Sequence, residues 1–151
     1  MITFEIPGKP QPKQRARTVA GHSYTPAQTA LYENWVRLCY GERPKLNGPV
    51  AADITLFYDV PKSYSNKRRE RCLGLLEYPT GKHLGDVDNV AKSILDSLNG
   101  IAYDDDSQIV SLSIAKYYST ASKAIVTLSE AGEADTWKEI LLGAKGRRRG
   151  R

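Results

Sequence analysis

Six aspartates fall within 21 positions of this sequence: Asp86, Asp88, Asp96, Asp104, Asp105 and Asp106. A single base, Lys92, interrupts them. The chain of 151 residues is nevertheless basic, with 22 Lys+Arg against 17 Asp+Glu and a formal net charge of +5. Six acids and one base give segment 86–106 a charge of −5, so the remaining residues carry +10. Carboxylates gathered in one place repel one another unless they share a cation or a proton. A set of oxygen donors without Cys or His suits Mg2+, or Mn2+ as a substitute, rather than zinc. Lys92, one helical turn from Asp88, would then be a point charge for a phosphate oxygen or an attacking water. A metal-binding acidic centre within a basic surface is what a phosphodiester-cutting enzyme needs. The bases hold the nucleic-acid backbone, and the acids hold a metal that counters phosphate charge and activates water.

Taken singly, each acid has a plainer explanation. Asp86 suits a helix N-cap, and Asp88 favours the positive end of a helix dipole. Asp88 and Lys92 are spaced for an i, i+4 ion pair, and Asp96 lies one more turn along the same stripe. The ordered set is what speaks for chemistry.

The bases cluster as well. "KPQPKQRAR" supplies Lys9, Lys13, Arg15 and Arg17; "KSYSNKRRER" supplies Lys62, Lys67, Arg68, Arg69 and Arg71; "KGRRRGR" ends the chain with Lys145, Arg147, Arg148, Arg149 and Arg151. Three basic clusters in one small protein point to a polyanionic partner. The terminal cluster reads equally well as a solvated tail.

The elements that must position these residues are legible from periodicity. Ile2, Phe4 and Ile6 alternate with polar neighbours, which predicts a first strand, and Pro7, Pro10 and Pro12 turn the chain into a basic loop. "TPAQTALYENWVRLCYG" predicts a helix capped by Thr25, with Pro26 in its first position and Ala27, Leu31, Trp35 and Leu38 near one face. Trp35 is accordingly expected in the core. Residues 48–60 alternate as a strand with one buried face, and a short helix is expected between Lys62 and Arg71. Segment 74–85 reads as irregular. The strongest helix is 87–98, where Val87, Val90, Ala91, Ile94, Leu95 and Leu98 recur at i, i+3, i+4, i+7, i+8 and i+11 before Asn99-Gly100 ends it. Strands are expected at 108–119 and, as its neighbour, 123–130, with a short final helix in "DTWKEILLG". The expected fold is α+β: a single mixed sheet of about four strands with helices packed on it. If the 87–98 helix lies across the start of the next strand, an aspartate of 104–106 comes near Asp86 and Asp88.

The length favours one domain, and the 40% hydrophobic content favours a folded one. No apolar run approaches the about 20 residues of a membrane helix. The start, "MITFEIPGKPQPK", has no apolar signal region, and Cys39 and Cys72 match no metal spacing, so a cytoplasmic protein with reduced thiols is expected. His22 and His83 are isolated, each better read as a loop or core residue than as a ligand.

The segment "GDVDNVAKSILDSLNGIAYDDDSQIV" resembles the central motif of the RusA family of Holliday junction resolvases (crossover junction endodeoxyribonucleases). The family pattern of Asp-x-Asp-Asn, a lysine, Asp-x-Leu and Asp-Asp-x-Gln reads here as Asp86-Val87-Asp88-Asn89, Lys92, Asp96-Ser97-Leu98 and Asp105-Asp106-Ser107-Gln108. "KPQPKQRAR" and "YTPAQTALYENWV" are similar to the family's entry loop and the segment after it, and the match thins out after about residue 128. The resemblance implies a bacterial or phage-encoded, Mg2+-dependent homodimer that resolves four-way DNA junctions by paired symmetric nicks, in recombination and repair. It makes Asp86, Asp88 and Asp106 the catalytic, metal-binding carboxylates, with Asp105 as the alternative third ligand, and Lys92 the catalytic lysine. Asn89 and Asp96 take supporting roles: Asn89 orients a ligand or caps the helix, and Asp96 bonds Lys92 or is plain surface. Lys13, Arg15 and Arg17, then Arg68 and Arg69, are the expected DNA contacts. Tyr24 is read as a structural tyrosine ahead of a base-stacking one, and Trp137 is open. The expected organisation is a nuclease domain over 1–142 and a flexible basic tail over 143–151. Competing readings are a Mg2+-dependent flap, fork or single-strand nuclease, a branched-DNA-binding protein with weak or lost catalysis, and a purely structural use of the charges.

Overall fold

A computed structural model describes residues 1–24 and 26–131 of the chain, the side chains of Arg17 and Tyr24 excepted. The expectations for a Thr25 cap, the Tyr24 ring, the final helix, Trp137, the 142/143 boundary and the basic tail lie outside the described residues.

The alternating segments form a four-stranded mixed sheet. Its strands are β1 (Ile2–Pro7), β4 (Val50–Asp59), β5 (Ile109–Ser119) and β6 (Lys123–Glu130), in the order β1-β6-β4-β5. A separate two-stranded hairpin, β2 (Arg17–Val19) with β3 (His22–Tyr24), occupies what the sequence reads as loop. The hairpin turn places Ala20 at φ 52° and Gly21 at φ 79°, the positive angles that a tight connection requires.

One topological expectation is corrected. β6 does not pair with its chain neighbour β5; it runs antiparallel to both β1 and β4, while β4 and β5 are parallel. The short connection after β5 therefore passes over the end of β4. Ser122 Oγ accepts from the backbone N–H of Asp59 at 3.0 Å and donates to the Asp59 carboxylate. β4 takes the central place because its inward side chains, Val50, Ala52, Ile54, Leu56 and Tyr58, are all buried and need a neighbour on each side.

Among the described residues three α-helices accompany the sheet: α1 (Ala27–Tyr40), α2 (Asn66–Leu73) and α3 (Val87–Ser97). α3 packs on β5 and on α1, which also meets β1. Its apolar stripe behaves as the periodicity predicts, with Val90, Ala91, Ile94, Leu95 and Leu98 buried. Each of the Val, Ile and Leu side chains among them contributes roughly 1.5–3 kcal/mol of transfer free energy. The stripe on α1 is a second correction. Leu31, Trp35 and Leu38 are 70%, 42% and 72% exposed, and the buried positions are instead Thr29, Tyr32, Val36 and Tyr40. Tyr32 and Tyr40 win the core because their rings are large: Tyr40 Oη donates to the Pro44 carbonyl at 2.5 Å, and its ring meets Phe4 edge-on. Trp35 lies at the surface, where its indole N–H donates to the Pro7 carbonyl at 2.7 Å. Pro26 stands at the N-cap of α1 rather than inside its first turn.

Candidate active site

The acidic residues belong to two pieces of chain that the fold joins. The first is α3. Asp86 occupies its N-cap position, but the side chain makes no capping hydrogen bond, so the carboxylate is not consumed by the helix. Asp88, Lys92 and Asp96 follow on one stripe at i, i+4 and i+8, opposite the buried face. The second piece is the turn before β5. Tyr103 is fully buried and its hydroxyl donates to the Leu95 carbonyl at 2.5 Å, which ties this turn to the last turn of α3.

The run Asp104-Asp105-Asp106 divides its labour. Asp104 pairs with Lys45. Asp105 caps the 3₁₀ turn Asp106–Gln108 by accepting from the Ser107 N–H at 3.1 Å, while Gln108 Oε1 accepts from the N–H groups of Asp104 and Asp105. Gln108 Nε2 also donates to the Gly48 carbonyl at 2.9 Å, which fixes the turn to the start of β4. Asp106 alone turns to Asp96, with which it shares a hydrogen bond. That bond, burial, and the charges of Asp96 and Asp105 hold the Asp106 carboxyl above its ordinary value of 3.8. Burial pushes Asp96 upward too, but the hydrogen bond from Asp106 and the Lys13 ammonium outweigh it and leave Asp96 below 3.8. Of the two, Asp106 is thus the one that takes up a proton first as pH falls.

Asp88, Lys92, Asp96 and Asp106 line one open depression of about 430 Å³, floored by Leu95, Ile109 and Leu112. Asp86 does not line it. Among the described residues no three Asp, Glu, His or Cys side chains converge as a ready-made metal cage. The donor chemistry still fits a hard cation. Mg2+ keeps several waters and is commonly held by one or two carboxylates together with substrate phosphates.

The basic loop is bolted to this site. Lys13 exchanges backbone hydrogen bonds with Asn89: its N–H donates to the Asn89 carbonyl at 3.3 Å, and its carbonyl accepts from Asn89 Nδ2 at 2.9 Å. Lys13 Nζ meets Asp96 Oδ2 at 2.5 Å and Glu33 at 3.8 Å. The next N–H, of Gln14, donates to the buried Thr29 of α1 at 3.2 Å. Gly85, one residue before Asp86, has φ +80°, and a Cβ there would stand 2.7 Å from Pro12. Only glycine lets the loop lie this close to the start of α3. Arg15 and Lys92 then face each other across a cleft of about 310 Å³ beside the depression.

The other expected residues are placed elsewhere. The i, i+4 ion pair of Asp88 with Lys92 is not among those formed by the described residues, and Asp96 pairs with Lys13 rather than with Lys92. Arg68 is held by Glu77 at 2.6 Å and lies over the Tyr64 ring at 3.6 Å. Arg69 is on α2 with it, away from the acids, and Arg17 is placed by its backbone alone, in β2. Sequence reasoning misses the strut role of Lys13, the Gly85 approach and the Gln108 clamp. Gly85 carries a signal as a glycine directly before the first acid, and Gln108 as the last residue of the Asp-Asp-x-Gln pattern.

Comparison with known proteins accords with this geometry. The family model of the endodeoxyribonuclease RusA matches residues 7–129, which span the basic loop, α3, the acidic turn and the whole sheet except most of β1 and the end of β6. Uncharacterized protein YqaN of Bacillus subtilis (strain 168) is similar at 35% identity over 138 residues, covering 85% of this chain and 96% of that protein.

Proposed function

The chain belongs to the endodeoxyribonuclease RusA family, and on that footing we propose that it is a Mg2+-dependent homodimer resolving four-way DNA junctions by paired symmetric nicks. The observation that carries the reading is the shared depression of Asp88, Lys92, Asp96 and Asp106 next to a basic loop pinned by Asn89 and Asp96. A DNA phosphate is held by Arg15 and Lys92 across their cleft, and Arg17, in β2, is a further phosphate contact. Lys13 contributes by fixing the loop, since its ammonium is engaged by Asp96 and Glu33. Asp88 and Asp106, with Asp86 two residues before Asp88, would hold Mg2+, which when bound neutralises phosphate charge and lowers the pKa of a bound water. Asp106 acts as a ligand in its carboxylate form, and the Lys13 ammonium on Asp96 offsets the repulsion between the two carboxylates. Lys92 stabilises charge that develops on the phosphate oxygens. Paired nicks need two such sites, and a two-fold dimer supplies them. In this reading residues 1–142 are the nuclease and 143–151 add sequence-independent phosphate contacts.

The test is Asp88→Asn, assayed on a labelled junction for both binding and cutting. Binding within about threefold of wild type, with cleavage reduced at least about 10³-fold, is expected when a carboxylate that touches metal but no phosphate is removed. Normal cutting by the variant would show that this depression is not the active site.

A further inference from the structure

The end of α2 places two leucines where the fold gains nothing from them. The last turn closes with a bond from the Leu76 N–H to the Arg71 carbonyl at 3.0 Å and another from the Leu75 N–H to the Cys72 carbonyl at 3.3 Å. This way of ending a helix needs a left-handed residue just past the cap, a place usually taken by glycine. Here it is Leu75, at φ 62°. The residue that follows commonly packs back on an apolar side chain of the last turn. Here that residue is Leu76, and the positions it would pack on are Glu70 and Arg71. Leu76 is 72% exposed and Leu75 53%, with Leu73 and Tyr78 exposed beside them in the chain. A single exposed leucine needs no explanation. Backbone strain and lost burial on adjacent leucines are two costs that nothing within the chain offsets.

The segment is held firmly on both sides. Arg68 grips Glu77 through Nε at 3.0 Å and Nη2 at 2.6 Å and lies over the Tyr64 ring. The Tyr78 ring stands 5.9 Å from Tyr117 of β5. Leu75 and Leu76 therefore sit on a fixed base. Charge selects what they meet. α2 carries four bases, Lys67, Arg68, Arg69 and Arg71, against one acid, Glu70. Arg68 is spent on Glu77, whereas Lys67 and Arg71, one turn apart and both exposed, form no ion pair among the described residues. An apolar tip beside free cations matches a polyanion whose interior is apolar and accessible: DNA in which the base stack is interrupted. Leucine is among the side chains that wedge between base steps in this way. The placement fits too. Tyr117 is five residues along β5 from Leu112 of the acidic depression, about 17 Å, or roughly five base steps of a DNA strand.

We propose that Leu75 and Leu76 are an apolar wedge that enters the opened base stack at the branch point of the DNA, with Lys67 and Arg71 on the flanking phosphates. The proposal rests on the nuclease reading above, since it takes branched DNA as the ligand. The wedge favours a junction over linear duplex because the stack is already broken at a branch point and need not be opened.

The experiment uses a four-way junction carrying 2-aminopurine, a purine whose fluorescence is quenched by stacking, at the branch point. Saturating protein is added in EDTA. Wild type is compared with Leu76→Ala and with the double variant Leu75→Gly/Leu76→Ala. Both are expected to fold, because Leu76 is exposed and glycine accepts the backbone angle of Leu75. Wild type should raise the fluorescence about twofold or more as bases are unstacked. Leu76→Ala should lose part of that rise and the double variant nearly all of it, with affinity for linear duplex kept within about twofold because the cations remain. A junction that binds wild type without any rise, or a rise equal in wild type and both variants, overturns the wedge and leaves the nuclease reading standing. Failure of wild type to bind the junction overturns both.

Discussion

Asp106 is the residue whose chemistry is most altered by a neighbour. Its folded pKa is raised by the hydrogen bond to Asp96, so the stability this proton lends is present below the ordinary aspartate value and is lost as pH rises through the raised one. Asp96 has the opposite sign: its contribution is present above 3.8 and is lost as pH falls through its depressed value. At neutral pH the pair is therefore two repelling carboxylates steadied by Lys13. Asp106→Asn keeps a donor to Asp96 at every pH. It should raise Tm at neutral pH by about 2 °C, with the gain fading in mildly acidic buffer, while cleavage is lost. Melting curves at the two pH values check this, and an unchanged or lower neutral Tm would deny the repulsion between Asp96 and Asp106. The two-residue partnership is not legible in the sequence. Three consecutive aspartates offer no means of telling which one caps, which pairs with Lys45 and which faces α3 until Tyr103 and Gln108 set the turn.

At the level of elements, the loop and helix that carry opposite charges are joined at Gly85 and Lys13. Gly85→Ala combines a positive φ with a Cβ 2.7 Å from Pro12, so a loss of about 1–3 kcal/mol is expected. Chemical denaturation should report it, and junction affinity should fall alongside because Arg15 is displaced. A variant as stable as wild type would mean that the loop does not depend on this approach. α3, β4, β5 and β6 are readable because their apolar periods are long and uninterrupted. The α1 face is misjudged because Tyr32 and Tyr40 compete with Leu31 and Leu38 for the core, and periodicity alone counts all four. The pairing of β6 with β1 and β4 escapes the sequence too, since a short connection after β5 ordinarily makes a hairpin. The crossing is fastened by the Asp59–Ser122 contact over the end of β4, between residues 63 positions apart.

For the whole molecule, the separation of charge matters most: −5 within 21 residues and +10 outside them. Part of that positive charge is tied up internally, Lys13 by Asp96 and Arg68 by Glu77. The terminal cluster Lys145, Arg147, Arg148, Arg149 and Arg151 then forms a large share of what is left for phosphates. Removal of residues 145–151 should weaken DNA binding and flatten its dependence on salt, by about 0.9 in the slope of log K against log[salt] for each phosphate that is no longer neutralised. An unchanged slope would return the tail to solvated surface. The activity itself is decided by one assay: a labelled four-way junction beside linear duplex, each incubated with Mg2+ and with EDTA. The account predicts symmetric nicks in the junction alone, and only with Mg2+. Tight junction binding without cutting in Mg2+ or Mn2+, or equal cutting of junction and duplex, would contradict it.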